Sequence, residues 1–327
     1  MENMKTKIKD IHEKILFKVR HTSSVKIIPT VFLIIILVGT ILLMLPIAQK
    51  GEGGASFTDS LFTATSATCE TGLVRFDTYT HWTTFGQLVI LSMIQIGGLG
   101  FMTIVMWIMS LTTYKIGLNS RFLLQNSISA PQVGGMVRMI RFILWGTLLV
   151  EGLGAILLSG IFVPRYGWGK GIYFSVFHSI SAFCNAGFDL MGGEEQFSSL
   201  TLMGNNWYLN FIIMALIIVG GLGFMVWKDM LECKFHFKKF RLHTKIVVVT
   251  TVFLITFGAI VIFLMEYGEA GTAGKEIPEQ ILNALFQSVT VRTAGFNTID
   301  LTQMTEASRF LMSILMLIGG SPGSTAG

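Results

Sequence analysis

The chain has 327 residues, of which 52% are hydrophobic and only 13% charged, and its formal net charge is +5. That balance excludes an ordinary soluble globular domain and places the sequence among membrane proteins. Three cysteines, Cys69, Cys184 and Cys233, are too few for a disulfide framework, and no CxxC or paired-histidine spacing offers a metal site.

Residues 1–26 carry a net charge of +4, with Ile8, Ile11, Ile15, Leu16 and Val19 at helical spacing. They predict an amphipathic helix on the inner leaflet, the alternative being a basic disordered arm. The length of this polar lead also argues against a cleaved signal peptide. Then come apolar runs long enough to cross a hydrocarbon layer of roughly 30 Å. Ile27 to Ala48 and Ile246 to Met265 hold no charge, Gln196 to Trp227 holds none, and Thr78 to Tyr114 has His81 as its single titratable residue.

Between these runs a short design recurs. Leu61 to Leu73 reads LFTATSATCETGL, Val176 to Phe188 reads VFHSISAFCNAGF, and Leu285 to Phe296 reads LFQSVTVRTAGF. The glycines that close the copies, Gly72, Gly187 and Gly295, lie 115 and 108 residues apart, so the chain is a tandem repeat. Each copy is preceded by an apolar stretch and followed by another containing Gly-Gly at Gly97, Gly220 or Gly319. The unit is outer helix, re-entrant pore helix with a loop, closing helix: an all-α membrane fold.

The predicted divisions are a basic N-terminus at 1–26, repeat 1 at 27–112, a cytoplasmic loop at 113–140, repeat 2 at 141–230, a second loop at 231–245, and repeat 3 at 246–327. In repeat 1 a short helix over 57–68 starts from Ser56 or Thr58 and the closing helix runs from about Gly86 to Leu111. In repeat 2 the outer helix spans Phe142 to Val163, the pore segment 171–188, and one closing helix Trp207 to Met230. In repeat 3 the outer helix is Ile246 to Met265, the pore segment begins with Pro278 in its first turn, and the closing helix starts near Ala307.

Charge sets the orientation. The N-terminus, the segment from Thr112 to Arg141 and the loop Lys228 to Lys245 each carry +4, whereas the segments holding the glycine motifs sum to −7. Basic loops stay in the cytoplasm, so the motifs enter from outside, in surroundings that concentrate cations.

A cation entering a membrane must exchange water for oxygen ligands, and a ring of backbone carbonyls supplies them. Glycine takes the positive φ that aims such a carbonyl, and the C-terminal end of each short helix favours the ion. This reading lines the ring with backbone oxygens of Cys69, Glu70 and Thr71, of Cys184, Asn185 and Ala186, and of Arg292, Thr293 and Ala294. Their side chains turn away, with Cys69 and Cys184 as packing residues and Arg292 anchored to an acid or carbonyls behind the loop. Glu70 serves as a brace or as an acidic mouth. Glu151, mid-span, is a functional suspect or a group bonded to a neighbouring helix. GGLG at 97–100 and 220–223 lacks nucleotide-loop spacing and reads as close packing. Gly319, Gly320, Ser321, Pro322, Gly323, Ser324, Thr325, Ala326 and Gly327 cannot continue a helix, and predict a movable barrier below the ring.

TATSATCETGL, SISAFCNAGF, SVTVRTAGF and GGSPGSTAG resemble the pore loops and intramembrane gating loop of the Trk/Ktr/HKT superfamily of potassium transporters, and the chain is similar to the membrane subunit of bacterial Ktr systems. The resemblance covers residues 27–327. It implies potassium uptake, sometimes sodium-stimulated, through a pseudo-fourfold pore, with Gly72, Gly187 and Gly295 as selectivity glycines and residues 319–327 as the gate. It also implies a homodimer in the inner membrane of a bacterium, N-terminus cytoplasmic, seated on a cytosolic ring of nucleotide-binding subunits that takes ATP or ADP; this chain itself carries no cofactor and no nucleic-acid partner. The family has four repeats, and this sequence reaches its last residue within the third, an apparent truncation that leaves the ring one member short. The rival readings are a sodium or mixed-cation conduit and a non-conducting membrane scaffold; a membrane enzyme lacks a nucleophile, base and acid cluster.

Overall fold

The structure, a computed structural model, describes residues 24–51, 54–100 and 136–326. The expected N-terminal amphipathic helix, most of the 113–140 loop and the second half of the first closing helix fall outside these residues. Among the described residues every named element is helical, and the one β-type contact is an isolated bridge between Gln49 and Trp82.

Three helical triplets follow one another. The first is α1 (Ser24–Met44), α2 (Phe57–Thr68) and α3 (Thr84–Leu99); the second is α4 (Met136–Tyr166), α5 (Trp168–Phe183) and α6 (Trp207–Leu222). After α7 (Phe224–Glu232) comes the third, α8 (Leu242–Glu266), α9 (Ile277–Thr290) and α10 (Glu306–Ile318). In each triplet the outer helix packs on the pore helix, α1 on α2, α4 on α5 and α8 on α9. The starts follow local chemistry: Ser56, Thr83, Asn206 and Thr305 accept a backbone N–H of the next turn, and Pro278 stands in the first turn of α9.

α4 and α8 are long and apolar enough to cross a membrane, and α6 with α7 passes the same test as a bent pair. Their outward faces carry exposed Trp145, Ile156, Val252 and Leu264, apolar surface that lipid would cover. The inward faces meet the pore helices through glycine. A Cβ added to Gly154 would lie 2.4 Å from Ser179 Oγ, and one on Gly258 2.4 Å from Ser288 Oγ. That closeness lets Ser179 donate to the Glu151 carbonyl at 2.7 Å and Ser288 to the Ile255 carbonyl at 2.8 Å.

Two elements depart from the sequence expectation. The second outer helix begins at Met136, inside the segment read as a cytoplasmic loop, and ends at Tyr166. The second closing helix is not continuous to Met230: it breaks at Gly223, whose φ is +92°, and α7 leaves at 93° to α6. A glycine in the left-handed region cannot propagate a right-handed helix, so the chain turns there.

Loops of the first and second triplets are tied together by Asp77. Its carboxylate accepts the N–H groups of Tyr79 at 3.0 Å and Thr80 at 2.8 Å, and that of Phe197, from the second triplet, at 3.1 Å. Gly192 sits against this carboxylate in a space that admits no Cβ.

Candidate functional site

All three pore helices end in the same backbone sequence of events. The residue two places before the glycine is left-handed, Glu70 at φ +56°, Asn185 at +53° and Thr293 at +70°, and the glycines follow at +70°, +71° and +83°. Thr71 N–H bonds the Ser66 carbonyl at 3.0 Å and Ala186 N–H the Ser181 carbonyl at 2.8 Å, closing each helix with a wide reverse turn. The third turn is one residue tighter, Ala294 N–H reaching the Thr290 carbonyl at 2.8 Å, which matches the shorter spacing of that copy. A β-branched Thr293 in this region costs about 1–2 kcal/mol, strain that the surrounding bonds hold in place.

A hydroxyl on each helix braces its loop. Ser181 and Thr290 donate to the carbonyls of Phe188 and Phe296, both at 2.7 Å, and Ser66 accepts from Thr71 Oγ1 at 2.9 Å. These three residues occupy equivalent places in the copies, and their recurrence in the sequence was the signal that could have marked them.

The loops converge. A Cβ placed on Gly295 would lie 3.3 Å from Gly187 Cα and 3.6 Å from Gly72 Cα. The same addition to Gly72 would meet the Ala186 carbonyl oxygen at 3.0 Å, and to Gly187 the Ala294 carbonyl oxygen at 2.5 Å. The carbonyl that precedes the glycine in one loop is therefore packed against the glycine of the next. Loops 2 and 3 are further joined by Asn185 Nδ2, which donates to the Arg292 carbonyl at 3.2 Å.

The side chains behind the ring are brought together only in part. Glu70 is buried and turns back toward α3: a Cβ on Gly98 would touch its Oε1 at 2.4 Å and Cys184 Sγ at 2.8 Å. Among the described residues its Oε1 has no hydrogen-bond partner, so the carboxyl is enclosed behind the loop without a bond that ties it there. Glu151 is also buried, and its two oxygens accept the Gln95 amide at 3.0 and 3.3 Å, so it is bonded to a neighbouring helix.

Two expectations are corrected. Cys69 is exposed and not a packing residue among the described residues, unlike the buried Cys184 of the second copy. Arg292 is buried but forms no ion pair among the described residues, and its Nε has no hydrogen-bond partner. Its guanidinium lies beside Gly221, on the apolar wall made by α6, where no acid is within reach. The same residue borders a cavity of about 160 Å³ shared with α8 and Gly319 to Pro322.

The first glycine of each GGLG run packs closely against the C-terminal end of a pore helix. A Cβ on Gly97 would lie 2.2 Å from the Thr68 carbonyl oxygen, and on Gly220 2.0 Å from that of Phe183. The glycine-rich run after α10 docks on the same place. Thr325 Oγ1 donates to the Phe183 carbonyl at 2.7 Å and Thr325 N–H to the Gly220 carbonyl at 3.2 Å. Ser321 N–H bonds the Gly221 carbonyl at 3.2 Å, and Phe224 N–H the Gly323 carbonyl at 2.9 Å. The loop leaves helical geometry at Gly319, φ +67°, fills the break between α6 and α7, and touches the end of the second pore helix. Among the described residues no group of three or more His, Cys, Asp or Glu could hold a metal ion.

What this arrangement offers is a cluster of backbone oxygens at the point where three re-entrant segments meet, with an irregular loop joined to one of them. Comparison with known proteins agrees in kind. The family model TrkH, described as a cation transport protein, matches residues 6–327. The potassium/sodium uptake protein NtpJ of Enterococcus hirae is 41% identical over 94% of this chain and 67% of its own length. The Ktr system potassium uptake protein B of Bacillus subtilis is 39% identical over 96% and 69%, and that of Vibrio alginolyticus 37% over 92% and 65%. The solved potassium transporter TrkH of Vibrio parahaemolyticus superposes with a TM-score of 0.65 at 19% identity, covering 90% of this chain and 57% of that one. The chain spans about two thirds of the length of these curated relatives. With its helical triplets, its re-entrant glycine loops and these matches, the chain belongs to the TrkH family of cation transport proteins.

Proposed function

We propose that this chain forms the ion-conducting part of a Ktr-type system that takes up potassium across the bacterial plasma membrane. The observation that carries this reading is the meeting of Gly72, Gly187 and Gly295, with the Ala186 and Ala294 carbonyls packed among them. A monovalent cation there loses its water shell to main-chain oxygen of Cys69–Thr71, Cys184–Ala186 and Arg292–Ala294, while their side chains hold the loops from behind. The names of the relatives support potassium as the cargo, with sodium beside it in the Enterococcus protein.

The run from Gly319 onward is the gate. It joins the Phe183 carbonyl through Thr325 and the α6–α7 break through Ser321, so its displacement would free one pore helix end and open the path below the ring. The basic loops face the cytoplasm, together with the N-terminus. The relatives' names support a place in a Ktr system, and the resemblance implies a homodimer resting on a cytosolic nucleotide-binding ring, on which ATP or ADP would act.

Uptake of labelled rubidium into potassium-starved cells tests the reading. Gly187→Ser abolishes uptake if the glycines form the ring, whereas unchanged uptake in that variant removes loop 2 from the ion path.

A further inference from the structure

The break at Gly223 sends α7 off at 93° to α6. α6 starts at Trp207 and Tyr208, both exposed and suited to the outer water interface, and its 16 residues rise about 24 Å. Against a hydrocarbon layer of about 30 Å, α7 therefore lies in the bilayer plane near the inner interface. It is amphipathic: Phe224, Val226 and Asp229 are buried against the protein, while Leu231 and Glu232 are exposed.

After α7 the chain reverses. Lys234 and Phe235 both hold positive φ, +49° and +58°, and Phe235 N–H returns to the Met230 carbonyl at 2.9 Å. The reversal displays Lys234 to Lys239 in an unbroken exposed run, in which Phe235 and Phe237 alternate along the chain with the basic residues Lys234, Lys238 and Lys239. The two acids of the segment are already committed. Asp229 accepts Arg241 N–H at 2.9 Å and stands 3.5 Å from Arg241 Nε, and Glu232 lies 3.8 Å from both Lys228 Nζ and Arg241 Nη2. Among the described residues Lys234, Lys238 and Lys239 have no ion-pair partner.

We infer that α7 and the turn at 233–240 form an interfacial foot that binds anionic phospholipid headgroups of the inner leaflet. Phe235 and Phe237 enter the acyl boundary and the three lysines take headgroup phosphate, a division of labour that suits an aromatic and basic surface lying parallel to the bilayer. Asp229 fixes the foot from inside by holding Arg241, so the unneutralised charge faces the membrane. Because Gly223 also contacts the gating loop, through Ser321 Oγ 3.0 Å from its added Cβ position, the foot sits one residue from the gate's seat.

The test is hydrogen–deuterium exchange of the full chain in nanodiscs of phosphatidylcholine alone and of phosphatidylcholine with phosphatidylglycerol. Amides of 231–241 should exchange more slowly with the anionic lipid. Each of Lys234→Gln, Lys238→Gln and Lys239→Gln should weaken that preference about fivefold, and the triple variant should abolish it. Rubidium uptake by the triple variant, measured in parallel, keeps this outcome separate from the conduction reading. Equal exchange in the two lipids, or protection by phosphatidylglycerol that survives the triple substitution, overturns the proposal. So does protection that appears only when a soluble protein partner is added.

Discussion

Loops 1 and 2 share a backbone path and a closing glycine, yet every residue from Ser181 to Phe188 in the second is buried, whereas Cys69 and Thr71 in the first are exposed. The difference lies in the neighbours. Loop 2 has Gly72 against its Ala186 carbonyl on one side and the Ala294 carbonyl against its Gly187 on the other, and Asn185 binds across to loop 3. Loop 1 is backed by its own helix and by Gly98 behind Glu70, and among the described residues Cys69 and Thr71 stay uncovered. The same backbone path is thus enclosed from both sides in loop 2 and, among the described residues, less covered in loop 1. The enclosure of such a loop comes from packing between copies as much as from the glycine in each.

The largest effect should come from adding a methyl group to each glycine. In Gly187→Ala the new Cβ meets a carbonyl oxygen at 2.5 Å and a Cα at 2.9 Å, in Gly72→Ala a carbonyl oxygen at 3.0 Å. Both variants carry left-handed strain of about 1–2 kcal/mol, and the tighter site adds overpacking of about 1–3 kcal/mol. Rubidium uptake should fall by more than about tenfold at 187 and less at 72; equal losses would deny that loop 2 is the more enclosed.

Next come the glycines beneath the pore helices. Gly97→Ala and Gly220→Ala drive a Cβ to 2.2 Å and 2.0 Å from a helix-end carbonyl oxygen, and each should lower the stability of the detergent-solubilised chain by about 1–3 kcal/mol. At 220 the methyl group also meets Thr325 Oγ1 at 2.6 Å. That variant alone should unseat the run from Gly319 and show faster proteolysis there.

Smaller again is the cross-loop bond. Asn185→Ala leaves the buried Arg292 carbonyl without its donor, a cost of about 1–3 kcal/mol, and should narrow the preference for rubidium over sodium. Cys69→Ala, at the exposed end of loop 1, should change stability by no more than about 0.5 kcal/mol and leave selectivity unchanged.

The smallest effect concerns pH at the loop that follows the second pore helix. Glu194 accepts bonds from Arg165 Nε at 2.9 Å and from Tyr166 Oη at 2.6 Å, and these hold its carboxyl below the usual glutamate range. A depressed pKa means the stabilisation is present above the unfolded value and is lost as pH falls through the folded one. Proteolysis of the 189–203 segment should therefore quicken on acidification from pH 7 toward the acid limb, and Arg165→Gln should remove most of that dependence.

Much of this was legible in the sequence because repetition removes ambiguity. One glycine turn means little, but three at spacings of 115 and 108 place three pore helices, and the helices found start within a few residues of those expected. Glu70 and Glu151 were left with two readings each: the Gln95 amide binds Glu151, whereas Glu70 Oε1 is buried with no hydrogen-bond partner among the described residues. The break at Gly223 was not legible: GGLG lies inside an uninterrupted apolar run, and only the neighbouring loop decides whether such a glycine turns left-handed. Arg292 was assigned an acid or carbonyls behind the loop because a guanidinium facing the path would repel cations. Its surroundings are set by α6 and α8, more than 25 residues away in sequence, where no local pattern reports.

The central claim is that three re-entrant loops share one axis and offer main-chain oxygen to a dehydrated cation. Anomalous diffraction from the protein in rubidium tests it most directly. A rubidium peak should sit where Gly72, Gly187 and Gly295 meet, within ligating reach of the carbonyls that precede them. Rubidium bound elsewhere, with that junction empty, would contradict it.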